Sequence, residues 1–283
     1  MKKRILIPTD FSENSINAIR YAVALYEDTE CDFHILHSFF LAGDSKEKLL
    51  IPEPGDADYQ NERAASEKKI ENLKTQLSAL RKKAGHNFYF SSEMGPLLDV
   101  LRKKIKKEEI DLVVMGTRGQ NDAENMAFGS VAVSVMENIR LCPTLAIPRN
   151  TTFIRPNEIV FPTGFKTNYK LDDLNGLMEL SKLTDSPVRI LYVSKGEGLS
   201  KGQAEKKNFL EKALDGIVFS HHNLYHVAVK TGVRNFVQSR GSEMIAFVNK
   251  KHFFFGGIFS DPMVKQLGRY ANVPLFAMHD VRK

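Results

Sequence analysis

KRILIPTDFS, residues 3–12, is matched by NEIVFPTGFK, residues 157–166, with Pro8 over Pro162 and Thr9 over Thr163. Each run is followed by a helical segment and then a second β-rich run, CDFHILHSF at 31–39 and SPVRILYVS at 186–194. Further on, FYFSSEMG (88–95) aligns with YHVAVKTG (225–232) and DLVVMGTRG (111–119) with HFFFGGIFS (252–260), and the halves close alike on CPTLAIP and NVPLFAM. Self-similarity at this spacing marks a tandem duplication of one unit, with boundaries at 1–150 and 151–283. Within a unit, short apolar runs alternate with amphipathic helical patterns, the signature of an α/β fold whose parallel sheet carries helices on both faces. Two doubly wound domains are expected, each a five-stranded parallel sheet in the order 3-2-1-4-5.

In the first unit strands are predicted near 4–8, 32–38, 87–92, 111–115 and 144–147. Ile16, Ile19, Val23 and Tyr26 form one helical stripe, Ile70, Leu73, Leu77 and Leu80 another, and Ser12 is placed to cap the first helix. Residues 41–60, with two prolines, read as a polar loop. On the alignment above, Pro8 and Pro162 stand 154 apart, Met115 and Phe255 140 apart, and Pro143 and Pro274 131 apart. The second unit is therefore expected to have lost 14 residues before its fourth strand and nine more between its fourth and fifth.

Composition excludes several function classes. No run approaches the roughly 18–20 apolar residues of a membrane helix, and MKKRILIPTD turns polar too early for a secretory leader, so a cytoplasmic protein is expected. Cys31 and Cys142 stand alone in apolar segments and read as buried thiols. The formal charge of +6 is spread among acids. Its densest basic cluster, RKKIKKEE at 102–109, shares a helix with Leu98, Leu101 and Ile105 and reads as a solvated face, so no nucleic-acid partner is expected. His222 and His226 align with a strand and point to one face, but they lie too far apart for easy shared coordination and have no carboxylate with them, so no metal site is expected at His221, His222 and His226. His34 and His37 face opposite ways on the second strand, and His37 borders the crevice described next. No catalytic residue is assigned: there is no GxSxG elbow and Ser130 has no evident base.

In an open doubly wound sheet, ligands sit beyond the carboxyl ends of the strands where chain order reverses. Here that point lies between the first and fourth strands and sets Pro8, Thr9 and Asp10 opposite Met115 and Gly116. GTRGQNDAENMAFGS (116–130) follows the fourth strand. Gly116 and Gly119 would let backbone N–H groups approach an anion, and Gly129-Ser130 opens a helix with a Val133, Met136, Ile139 stripe, whose N-terminus offers further donors. Neither GxxxxGK[ST] nor a post-strand GxGxxG occurs, so P-loop and dinucleotide readings fall away.

The spacing G-x2-G-x9-G-S at Gly116, Gly119, Gly129 and Ser130, with PTDFS after the first strand and a closing CPTLAIP, resembles the universal stress protein family in its ATP-binding branch. The resemblance implies a stress-response binding protein with ATP in its first domain, for which a metal ion such as Mg²⁺ is a candidate companion. It assigns Pro8, Thr9 and Asp10 to the nucleoside end and the Ser38 backbone to adenine. Met115 and Gly116 would lie along the ribose and first phosphate, with Gly119, Gly129, Ser130 and Val131 around the phosphates. The insert QNDAENMAF lacks lysine and arginine, so phosphate charge falls to backbone dipoles, Arg118 and the metal; Ala132 stands where the family often has a hydroxyl. In the second half Gly164 replaces the aspartate and GGIFSDPMVKQLG is short, so that half is expected to keep the fold and lose the nucleotide. Two other classes stay open: a nucleotide-free scaffold for an unidentified protein partner, and a slow ATP hydrolase. Edge strands ending near Ile147 and Ala277 are expected to pair within the chain as a pseudo-dimer, leaving a homodimer open.

Overall fold

A computed structural model of the protein describes residues 2–39, 56–80, 85–117, 129–196, 198–249 and 273–279. The first half runs β1 (Lys3–Pro8), α1 (Glu13–Leu25), β2 (Cys31–Phe39), α2 (Ala57–Gln76), β3 (His86–Met94), α3 (Leu97–Lys107), β4 (Leu112–Gly116), α4 (Ser130–Asn138) and β5 (Thr144–Ile147). The second runs β6 (Ile159–Pro162), α5 (Asn175–Thr184), β7 (Val188–Val193), α6 (Lys201–Ala213), β8 (Phe219–Leu224), α7 (Val229–Arg240), β9 (Met244–Asn249) and β10 (Leu275–His279). The strands form one sheet in the order β3-β2-β1-β4-β5-β10-β9-β6-β7-β8. Each half is thus a doubly wound 3-2-1-4-5 unit, and the two meet where β5 and β10 pair antiparallel, Ala146 against Leu275 and Thr144 against Ala277.

Alternation along the strands decides which layer each residue joins. Ile5, Ile7, Phe33 and Ile35 pack beneath Ile16, Ile19, Leu73 and Leu77 of α1 and the α2 segment. Leu6 and Leu36 face the other way, onto Val100 and Leu101 of α3 and Val135 and Met136 of α4. Both layers continue across the seam, through Phe161 and Leu177 on one face and Val160 and Val233 on the other. Ser12 caps α1, its hydroxyl accepting from Ser15 N–H at 3.2 Å. On α4 the buried positions are Ala132, Val135 and Met136, followed by Ile139. Met136 and Ile139 of the expected stripe are buried, and Val133 is half-buried against the same core. Residues 57–60, expected in a loop, already belong to α2; residues 41–55 lie outside the described residues.

The second half corrects the sequence alignment at two strands. Its third strand is Phe219–Leu224, in register with β7 as β3 is with β2, so Ser91 corresponds to His222. YHVAVKTG instead forms the turn and first helical residues beyond it. Gly232 is a packing glycine within α7, where a Cβ would meet Val193 Cγ1 at 2.5 Å, whereas Gly95, its supposed match, is a turn glycine at φ +134°. His226, placed on the strand by that alignment, turns with φ +57°, and His221 has Nε2 2.8 Å from Glu211 Oε1. The fourth strand is Met244–Asn249, so Met115 corresponds to Phe247 and not to Phe255. With Thr144 still matched to Leu275, the connection from fourth to fifth strand is shorter by one residue and not by nine. Gly256 and Gly257 fall within that connection, outside the described residues.

Beneath the second half, Glu158 is 5 % exposed. It accepts hydrogen bonds from Arg240 Nε and Nη2 (2.8 and 2.7 Å), Arg189 Nε (2.8 Å) and Ser242 Oγ (2.6 Å). These bonds, those from Arg240 foremost, outweigh burial and hold its carboxyl at about 2, against an ordinary 4.5. A depressed acid stabilises the fold fully above its unfolded value and loses that stabilisation as pH falls through the folded one. Glu158→Gln should cost about 2 kcal/mol at pH 7, because two guanidinium groups lose their anion. In urea titrations across pH, the gap between wild type and variant should narrow from pH 5 towards pH 2. Parallel curves would show that the carboxylate charge contributes nothing.

Candidate functional site

β1 and β4 are neighbours, Leu6 opposite Val113, and the chain leaves them for opposite faces of the sheet. Their carboxyl ends therefore part and leave a cavity of about 260 Å³. Of the predicted site residues, Pro8, Thr9, Asp10, Ser38, Met115, Gly116 and Val131 line it. Gly129 and Ser130 stand beside it at the start of α4 without lining it. Gly129 is the cap residue and Ser130, exposed, is the first helical one, so the Ser130 hydroxyl does not cap the helix. Arg118 and Gly119 lie outside the described residues. A larger hollow of about 410 Å³, between residues 150–154 and α7, lies away from these strand ends.

The β1 wall is built by a short hydroxyl chain. Phe11 adopts φ +63°, and its N–H donates to Thr9 Oγ1 at 3.0 Å. Ser15 Oγ donates to the Ser12 carbonyl and lies 2.9 Å from Thr9 Oγ1, which leaves Thr9 as the donor of that pair. Asp10 Oδ1 accepts from both Ser12 N–H (3.0 Å) and Ser12 Oγ (2.6 Å), fixing the residue that caps α1. Pro-Thr-Asp-Phe-Ser is thus one hydrogen-bonded turn that presents Asp10 at the strand end.

On the β4 wall, Gly116 is required by packing: a Cβ there would meet the Asn14 carbonyl oxygen and Cγ, each at 2.9 Å. Thr117 follows, with its N–H on the Ile147 carbonyl (3.0 Å) and its own carbonyl accepting from Gly129 N–H (2.6 Å). It joins the end of β4 to the cap of α4. Sequence reasoning gave Thr117 no role, yet it lines the cavity.

His37, expected to border the crevice, does so. Its Nδ1 lies 2.6 Å from Ser66 Oγ, which in turn bonds Ser92 Oγ, and its ring lies 4.5 Å from that of Phe11. Burial, reinforced by nearby Lys69, lowers its pKa to about 4, so the imidazole is neutral at physiological pH. Ser66 and Ser92 carried no signal in the sequence; only folding brings α2 and β3 against β2. Cys31 and Cys142 are buried free thiols, each pushed up to about 12 by burial. Among the described residues no group of three or more His, Cys, Asp or Glu side chains is placed to hold a metal ion, and no helix is long and apolar enough to cross a membrane.

The second half repeats the turn but not its chemistry. Phe165 has φ +51°, its N–H donates to Thr163 Oγ1 at 3.1 Å, and Tyr169 OH stands in for Ser15, 3.1 Å from Thr163 Oγ1. At the position of Asp10, the Gly164 carbonyl accepts from Gln203 Nε2 at 2.8 Å, and Gln203 also closes a capping box with Ser200. The resulting cavity, about 380 Å³, has Gly164 and Gln203 in its wall. Val248 stands where Gly116 does in the first half.

Against known proteins, residues 1–148 match the family model described as the universal stress protein family. The chain belongs to the universal stress protein family. A universal stress protein of Methanocaldococcus jannaschii is 26% identical over 147 residues, covering 52% of this chain and 82% of that protein. The crystal structure of a universal stress protein from Archaeoglobus fulgidus covers 98% of both chains with a TM-score of 0.71 at 14% identity. A structure from Pseudomonas aeruginosa, titled a putative universal stress protein, covers 98% of this chain and 93% of its own with a TM-score of 0.60 at 10% identity. At those identities the two structures establish the fold, and they do so over the second half as well as the first.

In this universal stress protein the glycine that opens the loop is therefore demanded by α1 before any ligand arrives. Gly116→Ala should cost about 1–3 kcal/mol, because the carbonyl it strikes is backbone and cannot swing aside. The loss should appear in thermal unfolding without added ligand. An unchanged midpoint would mean that α1 moves freely from β4.

Proposed function

We propose that this universal stress protein is a regulatory binding protein that holds an adenine nucleotide, ATP carried with Mg²⁺, in the crevice of its first unit, residues 1–150. The observation that carries the reading is the gathering of Pro8, Thr9, Asp10, Ser38, Met115, Gly116 and Val131 around one cavity at the reversal point of the sheet. Asp10 and Thr9 would face the nucleoside, Ser38 the base, and the first N–H groups of α4 the phosphates, where the helix dipole favours negative charge. The neutral His37 adds a hydrogen-bonding wall without a charge that would compete with the phosphates. Arg118 and Gly119 belong to the same proposal through the family spacing. The second unit, residues 151–283, acts as a fixed pseudo-partner, with Gln203 bonded to the backbone at the position of Asp10. In this reading nucleotide stiffens the site and alters the surface shown to a protein partner.

A second reading has one observation behind it. Gly116 is explained by its contact with Asn14 alone, which fits a scaffold that kept the family spelling without the ligand. Isothermal titration of nucleotide-free protein with Mg-ATP separates the two. The expected result is one site per chain, abolished by Gly129→Leu, whose side chain would stand at the cap of α4. A flat titration of the wild type would establish the scaffold reading.

A further inference from the structure

Both ends of α4 are tied to the end of a fourth strand, each in a different half of the chain. At its start, Gly129 N–H donates to the carbonyl of Thr117, just beyond β4, at 2.6 Å. At its end, the last backbone bond runs from Ile139 N–H to the Val135 carbonyl, so the Met136 carbonyl falls among those that a helix terminus leaves open. Asn249, closing β9, fills that place: its Nδ2 donates to the Met136 carbonyl at 3.1 Å. Its own carbonyl accepts from Arg140 Nη2 at 2.8 Å, which sets a guanidinium beside the negative end of the helix. Asn249 occupies in the second half the position that Thr117 has in the first, since Val248 matches Gly116.

Resting on the nucleotide reading of the crevice, we infer that Asn249 is a positioning residue for the phosphates, acting from the second half through α4. The N–H groups that open α4 meet an anion only where the helix places them, and a helix of nine residues shifts as one body. Its apolar face, Ala132, Val135 and Met136, holds it against the sheet, but burial has no direction along the helix axis. Hydrogen bonds do, and the one from Asn249 fixes the far end. Donors already in place lose less freedom when the anion binds. The second half, with Gly164 and Val248 where the first has Asp10 and Gly116, thus serves the first half's site without a nucleotide of its own.

The test compares two bonds of one kind between the halves. Asn17 Nδ2, on α1, donates to the Thr151 carbonyl at 2.8 Å and leaves α4 alone. In isothermal titration, Asn249→Ala and the isosteric Asn249→Asp, which has no N–H to give, should bind Mg-ATP about threefold to tenfold more weakly. Asn17→Ala should bind it as the wild type does. AMP, whose single phosphate lies by Met115 and Gly116 in this reading, should bind every variant alike. Without nucleotide, amide hydrogen exchange along α4 should quicken in Asn249→Ala and not in Asn17→Ala. Wild-type Mg-ATP affinity or wild-type exchange in Asn249→Ala overturns the inference. Equal weakening of Mg-ATP and AMP overturns it as well, because it marks a general loss of structure, and so does equal weakening in Asn17→Ala. A wild type that binds no Mg-ATP ends the nucleotide reading and this inference together; a wild type that binds, beside an Asn249→Ala that binds equally, ends this inference alone.

Discussion

The antiparallel pairing of β5 with β10 is the constraint on which the rest of the molecule depends. A doubly wound unit in the order 3-2-1-4-5 ends on an edge strand, and a bare edge exposes a row of unpaired N–H and C=O groups. Here each half supplies the other's missing neighbour. Leu145, Ala146, Leu275 and Ala277 are fully buried as a result, and both apolar layers run unbroken from one half to the other. Close approach at this seam reaches into the helices: Gly176 in the first turn of α5 leaves room for the Phe276 ring, whose Cε1 would lie 3.2 Å from a Cβ there. Because strands are parallel within a half and antiparallel across the seam, the two sets of carboxyl ends point in opposite directions. The two crevices therefore open at opposite ends of the sheet, and no single small ligand can span them.

That separation lets the halves diverge in chemistry without diverging in backbone. Both keep the left-handed phenylalanine, Phe11 and Phe165, with its N–H on the preceding threonine hydroxyl. The turn is a structural device, because it survives where the aspartate does not. What differs is where polar groups are directed. In the first half Asp10 orders Ser12 and stays at the cavity wall, whereas in the second Gln203 reaches across to the backbone of Gly164.

The strand positions of the first half were legible to within two residues, because each run carries aliphatic or aromatic residues and is flanked by a polar break. The second half was legible only at its first two strands and its last. FFF at 253–255 is an apolar run as conspicuous as IAFV at 245–248, and the glycines after it imitate the end of β4. Backbone register, not hydrophobicity, identifies Met244–Asn249 as the fourth strand, and register depends on a neighbour 85 positions away, Ile159 opposite Met244. At the site, the residues contiguous with a strand end, from Pro8 to Asp10 and from Met115 to Gly116, could be read from fold logic. Ser66 and Ser92, which complete the His37 chain, could not, because neither has a distinctive local sequence.

Thr117 marks a different limit. Its residue type and position are visible in GTRG, but a missing partner is a property of the surroundings and has no spelling. Sequence patterns report groups that fit the fold; they do not report a group that the fold leaves wanting. In an interior where polar atoms are nearly all paired, such a hydroxyl is visible only in the folded chain. Thr144 in β5 and Thr117 at the end of β4 are both buried, and among the described residues neither hydroxyl has a partner. The Thr117 backbone is nevertheless held on both sides, by Ile147 and by Gly129, so the end of β4 is tied to the cap of α4 whatever its side chain does. That tie fixes the wall of the crevice where the sheet parts, and the sheet parts there because the chain leaves β1 and β4 for opposite faces.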